Sequence, residues 1–277
     1  MQFMNLLAFD TSTDVMSIAV QRGLSELVGL DGASNLQTWQ HTGAGGAQAS
    51  STLIPAILQL MQQAHLRFDQ LDAVAFGRGP GSFTGLRTAC SVAQGLAFGA
   101  GVPVLPVDTL LAVAEEARYQ WFSSPQTQTQ TQTQTKIQTQ AMPRPFQVLA
   151  VLDARMDEVY SAEYEFDSER FIQRADDQLI RPENLVLRPG WQLAGNAVQA
   201  YGDRLPGGGL PGELARHINA LPTALALLRL APVLLAAGQA VAADQALPLY
   251  IRDKVAKTTS ERMQEKREKT AAGTHNA

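Results

Sequence analysis

The stretch Gly77-Arg78-Gly79-Pro80-Gly81-Ser82-Phe83-Thr84-Gly85-Leu86-Arg87 carries the strongest chemical signal in the chain. Its glycines let the backbone take positive φ and pass close to a neighbour. The residues after it predict a helix running to about Gly99. Free N–H groups and the helix dipole at its start would favour an anion, with Ser82 or Thr84 as N-cap. The same composition equally suits a tight strand-to-helix turn packed against another lobe or chain. The common phosphate and nucleophile signatures are not met. No Lys completes a P-loop, G-x-G-x-x-G fails from both Gly77 and Gly79, and Phe83-Thr84 after Ser82 breaks G-x-S-x-G.

A second candidate is Asp10-Thr11-Ser12-Thr13, a carboxylate at the end of an apolar run beside small hydroxyls. Such a group can hold a Mg-phosphate, and it is also ordinary turn chemistry. The third, Asp153-Ala154-Arg155-Met156-Asp157-Glu158, sets opposite charges side by side, to orient a substrate or simply to be solvated. His41, His65, His217 and His275 are scattered, with no H-x-x-x-H or H-E-x-x-H pair, so no metal site is expected. Cys90 is the only cysteine, which excludes an intrachain disulfide and fits a reducing compartment. It falls mid-helix among apolar and small residues and reads as a packing residue.

The elements that must carry these groups follow from periodicity. Phe3–Phe9 and Val15–Val20 read as a strand, tight turn and returning strand, with Glu26–Leu30 as a third strand and Asp31–Ser51 as a loop. Thr52–Leu66 reads as a helix with Pro55 in its first turn. Leu71–Phe76 and Val102–Val107 read as strands, and Leu110–Phe122 as a helix. Gln126–Gln140 alternates Gln and Thr, has no apolar face, and reads as an expanded surface loop. Val148–Leu152, ending at Asp153, and Val159–Tyr164 then repeat the opening hairpin, which suggests two similar lobes. Leu221–Ala243 is the most apolar stretch. It contains Arg229, Pro222 and Pro232, and is expected to be a buried helix rather than a membrane span.

The 277 residues are 45% hydrophobic and 17% charged, with a net charge of −4. That disfavours wholesale disorder and a dedicated nucleic-acid binder. Met1–Asp10 has no basic n-region, so a cytoplasmic protein is expected.

Taken together, Leu7-Ala8-Phe9-Asp10-Thr11-Ser12-Thr13, Gly77–Arg87, Gln94-Gly95-Leu96-Ala97-Phe98, Asp153-Ala154-Arg155-Met156 with Glu158-Val159-Tyr160, and Pro248-Leu249-Tyr250-Ile251-Arg252 resemble the bacterial TsaB family, also called YeaZ. The resemblance spans nearly the whole chain except the Gln/Thr tract and the tail. It implies an α/β, two-lobed actin-like fold (ASKHA, ribonuclease H-like) with mixed sheets flanked by helices. The expected division is a first lobe at 1–108 and a second at 109–222 with the insert at 126–140. A helix and strand at 223–252 would return to the first lobe, followed by a charged tail at 253–277. At Asp157 the family usually has Gly.

The resemblance further implies a non-catalytic scaffold in tRNA threonylcarbamoyladenosine formation. Such a subunit pairs with the catalytic paralogue TsaD, works with the ATPase TsaE, meets tRNA through the complex, and forms a homodimer when alone. The partner surface would use the two first-lobe helices, through Leu53, Ile57, Met61, Gly85, Arg87, Ala89 and Ala93; the alternative is that this small-residue face packs inside its own lobe. Asp10, Thr11, Ser12, Thr13, Gly79 and Gly81 would be a working or vestigial nucleotide site, with ATP or ADP bound in the complex. Two other functions stay open from sequence: an independent ATP-using enzyme of the same fold class, and a glycoprotein peptidase, which the missing histidine pair disfavours.

Overall fold

The computed structural model describes residues 4–23, 36–123, 145–206 and 217–252. The expected strand at Glu26–Leu30, the Gln/Thr tract and the tail lie outside them. Two five-stranded mixed sheets form the centre. The first contains β1 (Leu6–Asp10), β2 (Val15–Gly23), β3 (Leu36–Ala44), β4 (Ala73–Gly79) and β5 (Val104–Asp108) in the order β3-β2-β1-β4-β5. The second contains β6 (Phe146–Arg155), β7 (Glu158–Phe166), β8 (Phe171–Ile180), β9 (Gln192–Gly195) and β10 (His217–Ile218) in the order β10-β9-β6-β7-β8. Counted outward from β1 and from β6, the connectivity is identical. Three strands run as an antiparallel meander, and two more pair parallel on the other side. The repeated strand–Asp–turn–strand pattern is therefore the corresponding hairpin of two lobes.

Alternation along β1 sends its side chains into two cores. Leu7 and Phe9 pack with α1 (Ala49–Gln63) and α2 (Phe83–Ala100). Leu6 and Ala8 pack on the opposite face with Leu227, Leu228 and Ala231. Those three belong to the apolar segment near the C-terminus, which folds as a helix of 13 residues. Before it come α3 (Thr109–Ser123), whose Leu110, Val113 and Ala117 pack on the second sheet, and the short α4 (Ala197–Tyr201). The apolar helix is thus α5 (Ala224–Ala236). Thr223 caps it by accepting from the Ala226 N–H at 3.1 Å. Its Arg229 reaches Glu115 and Glu116 of α3 at 2.7 Å each. Among the described residues no helix is long and apolar enough to cross a membrane.

Three element expectations are corrected. Residues 36–44 are a strand, not part of a loop. Its side chains are mostly exposed, and it forms because its backbone pairs along all of β2, with only Trp39 contributing to the core. Helix α1 begins at Ala49, so Pro55 lies in the helix interior. The early start is supported by Ser50 and Ser51 hydroxyls donating to the carbonyls of Ala47 and Gln48, and Pro55 sits on the exposed side. Strand β4 extends through Gly79, so the glycine-rich stretch is strand before it is turn.

Candidate functional site

The two equivalent hairpins, β1–β2 and β6–β7, face each other across a cleft of about 290 Å³. Ser12, Thr13, Ser82, Asn196, Tyr250 and Arg252 are among its lining residues. This volume lies at the lower edge of the roughly 300–1,000 Å³ usual for small-molecule sites.

The first-lobe side of the cleft is built by the glycine-rich stretch closing on the β1–β2 turn. Asp10 is 0% exposed. Its Oδ1 accepts the Ser12 N–H at 2.8 Å and the Ser12 hydroxyl at 2.6 Å. Its Oδ2 has no hydrogen-bond partner and lies against Gly77, where a Cβ would collide with it. Burial pushes the Asp10 carboxyl up to about 6, against the lowering effect of the Ser12 bonds. The buried Thr11 hydroxyl donates to the Gly85 carbonyl at 2.7 Å, and a Cβ at Gly85 would strike the Thr11 carbonyl oxygen.

The Ser82 N–H, at the N-cap of α2, donates to the Ser12 carbonyl at 2.7 Å, with Gly81 pressed on Ser12. Gly79 has φ +124, donates to Thr109 Oγ1 at 3.1 Å and lies against the Leu249 carbonyl. The Leu249 N–H in turn donates to the Arg78 carbonyl at 2.7 Å. The glycines thus let three backbone segments lie in contact, and the N–H groups of Gly79 and Ser82 are bonded within the protein.

Of the residues expected at a nucleotide, Ser12, Thr13 and Gly81 border the cleft, while Asp10, Thr11 and Gly79 do not. The Asp10 carboxylate is sealed beneath Gly77. These residues do not fit a Mg-phosphate held on Asp10.

The second-lobe side is the β6–β7 turn. Arg155, Met156 and Asp157 all have positive φ (61°, 57° and 61°), so the turn passes through three left-handed residues in succession. Asp153 Oδ1 accepts the Arg155 N–H and the Tyr201 hydroxyl, each at 2.8 Å. Burial, with the Asp153 bond adding to it, pushes the Tyr201 hydroxyl up to about 12. Periodicity and motifs missed Asp14 and Arg252 as members of the cleft, and Tyr201 as the support of Asp153. Opposite charges at the two hairpin tips were the available signal.

The helix residues expected at a partner surface divide sharply. Leu53, Ile57, Met61, Ala89 and Ala93 are buried in the first-lobe core, and Gly85 is buried against Thr11. This packing matches the alternative in which the small face serves its own lobe. Only Arg87 of that set is exposed. Its guanidinium lies 3.8 Å from the Phe83 ring centroid, and its Nε donates to the Tyr250 hydroxyl at 3.1 Å. The outward faces of α1 and α2 instead carry Ile54, Leu58 and the 82%-exposed Phe98, with open space where a Cβ would stand on Gly95 and Gly99.

With this geometry in hand, the similarities to known proteins are extensive. The family described as TsaD, tRNA N6-adenosine threonylcarbamoyltransferase, matches residues 44–260. The tRNA threonylcarbamoyladenosine biosynthesis protein TsaB of Escherichia coli K12 is 30% identical over 262 residues, covering 91% of this chain and 96% of that protein. Its Haemophilus influenzae counterpart is 32% identical over 267 residues, covering 92% and 96%. The solved structure of YeaZ from Pseudomonas aeruginosa superposes with a TM-score of 0.67 at 31% identity, covering 90% of this chain and all of that one.

Proposed function

Because the chain belongs to the TsaB (YeaZ) family, with the two-lobed actin-like fold of that family, and so takes part in tRNA threonylcarbamoyladenosine biosynthesis, we propose that it does so as a non-catalytic subunit. In this reading the outward faces of α1 and α2 dock on the catalytic paralogue TsaD and hold it in its active form. TsaE and tRNA join through the complex, in the cytoplasm, and the same faces pair two copies when the chain is alone.

One contrast carries the reading. The carboxylate best suited to chemistry, Asp10, is sealed inside the lobe, while Ile54, Leu58 and Phe98 stand exposed on neighbouring helices. Large apolar side chains left exposed on two helices that pack together support an association surface. The glycines at 95 and 99 let another backbone approach closely.

The test is co-purification with the organism's own TsaD, followed by tRNA modification in the reconstituted system. Leu58→Asp with Phe98→Asp is expected to abolish co-elution and modification while the thermal melt stays near wild type. Asp10→Asn is expected to leave both intact. Co-elution and modification undiminished in the Leu58→Asp/Phe98→Asp variant would sink the surface assignment. Modification lost in Asp10→Asn with pairing intact would point to chemistry in this chain.

A further inference from the structure

The hairpin tips of the two lobes are joined by the chain's own charges. Arg155 Nη2 lies 2.5 Å from Asp14 Oδ2 in the other lobe, while its Nη1 lies 3.2 Å from Asp153. The turn that presents Arg155 has three successive non-glycine residues in the left-handed region. L-residues disfavour that region, and such a run persists only where its surroundings over-determine it. Here Asp153 holds the Arg155 N–H, Tyr201 holds Asp153, and Arg204 Nη1 lies 2.8 Å from Asp157.

A second bridge runs through the C-terminal segment. Leu249 is hydrogen-bonded to Arg78 in the first lobe, and Ile251 packs in the second-lobe core. Arg252 then lies 2.7 Å from Glu158 and donates to the carbonyls of Ala154 and Arg155 at 3.2 and 3.3 Å. Its side chain is only 11% exposed, whereas those of Arg155 and Asp14 are 68% and 82% exposed.

We propose that these two bridges form a latch across the mouth of the cleft, Asp14–Arg155 being the releasable bolt and Arg252 the shielded anchor. The guanidinium of Arg155 spans the gap between the hairpin tips. The exposure difference separates the two parts. Salt screens an exposed pair over a few ångströms at high ionic strength, while a buried arginine bonded to a carboxylate and two carbonyls is protected. Raising salt therefore withdraws the bolt and leaves the anchor, giving a partly opened state.

Pulsed electron–electron resonance on the full chain tests this, with spin labels on Gln59→Cys in α1 and Gln178→Cys in β8, both exposed positions, with Cys90 buried, and with the labelled chain diluted in excess unlabelled chain so that only distances within one copy are read. At about 0.05 M salt a single narrow distance is expected, broadening toward longer distances at about 1 M. Asp14→Asn should give the broadened distribution at both salts, and adding Glu158→Gln should lengthen it further. If the double variant does not fold, Asp14→Asn alone carries the test, since it alters an exposed side chain. Identical distributions in the wild type and Asp14→Asn at both salts would overturn the latch. A lowered melting temperature with unchanged distances would do the same.

Discussion

Gly77 lies against Asp10 so closely that its missing side chain is the space the Asp10 Oδ2 atom fills. That oxygen is buried and unpartnered, and burial holds the carboxyl up at about 6 against an ordinary 3.8. Because the folded value is raised, the proton favours the folded state. Stability from this group is fully present below about pH 3.8 and is lost as pH rises through about 6. Asn keeps an oxygen for the two Ser12 donors and carries no charge. Asp10→Asn is therefore expected to stabilise the protein above pH 6.5, by about 1–3 kcal/mol, with the gain vanishing below pH 4. Urea denaturation of both proteins across that range measures it, and a pH-independent difference would refute the titration.

Two glycines of α2 make opposite predictions. A Cβ at Gly85 would strike the Thr11 carbonyl oxygen, whereas one at Gly95 would meet nothing. Gly85→Ala is expected to cost at least about 1–3 kcal/mol by overpacking. Gly95→Ala should leave the isolated chain unharmed or stabilise it by up to about 1 kcal/mol through helix propensity. The bulky Gly95→Leu should then weaken pairing with TsaD without lowering the melting temperature. Thermal melts with size-exclusion profiles of the mixed proteins separate the two effects.

What the sequence made legible follows from how local each signal is. The β1–β2 hairpin and its repeat at β6–β7 show in short apolar runs ending at Asp10 and Asp153, because a buried strand next to a turn needs nothing distant to be recognised. The periodicity of Leu53, Ile57 and Met61 correctly marks a packed face of α1, but periodicity does not say whether a partner or the home sheet covers it. Here it is the home sheet. Strand β3 was illegible because an edge strand paired on one side needs no apolar face, and its Gln and Thr residues look like a loop. Asp14 and Arg155 are 141 residues apart, and no local pattern links them.

The α3–α5 contact rests on a charged network. Glu115 is buried and is held by Arg118 at 2.6 Å and by Arg229 at 2.7 Å, while Arg229 also reaches Glu116. Arg229→Leu removes one partner from each carboxylate but leaves Glu115 with Arg118 and Glu116 with the Thr223 hydroxyl. The expected loss is about 1–3 kcal/mol, below that of stripping a buried ion of every partner. Arg229→Lys should recover less than half of it, because a lysine cannot fork onto two carboxylates. Denaturant midpoints of the two variants, with unchanged slopes, check this.

Cys90 offers a reporter of the C-terminal segment. Its thiol is buried, its pKa is pushed up by that burial, and it donates to the Ala246 carbonyl at 3.3 Å, which also accepts from the Gln94 side chain at 2.8 Å. Ala246 follows α5 and leads into the residues that cross to the second lobe, so peeling this segment uncovers the thiol without unfolding the sheet. Reaction with a thiol reagent should be slow in the native protein, and its dependence on urea should be shallower than that of global unfolding. Gln94→Ala removes one bond to Ala246 and should speed labelling by about threefold to tenfold, the effect of about 1 kcal/mol on a local opening. It should lower the global melting temperature only slightly. A labelling rate whose urea slope equals the global one would show that Cys90 is reached only through complete unfolding, and that the segment is as firmly held as the sheet beneath it.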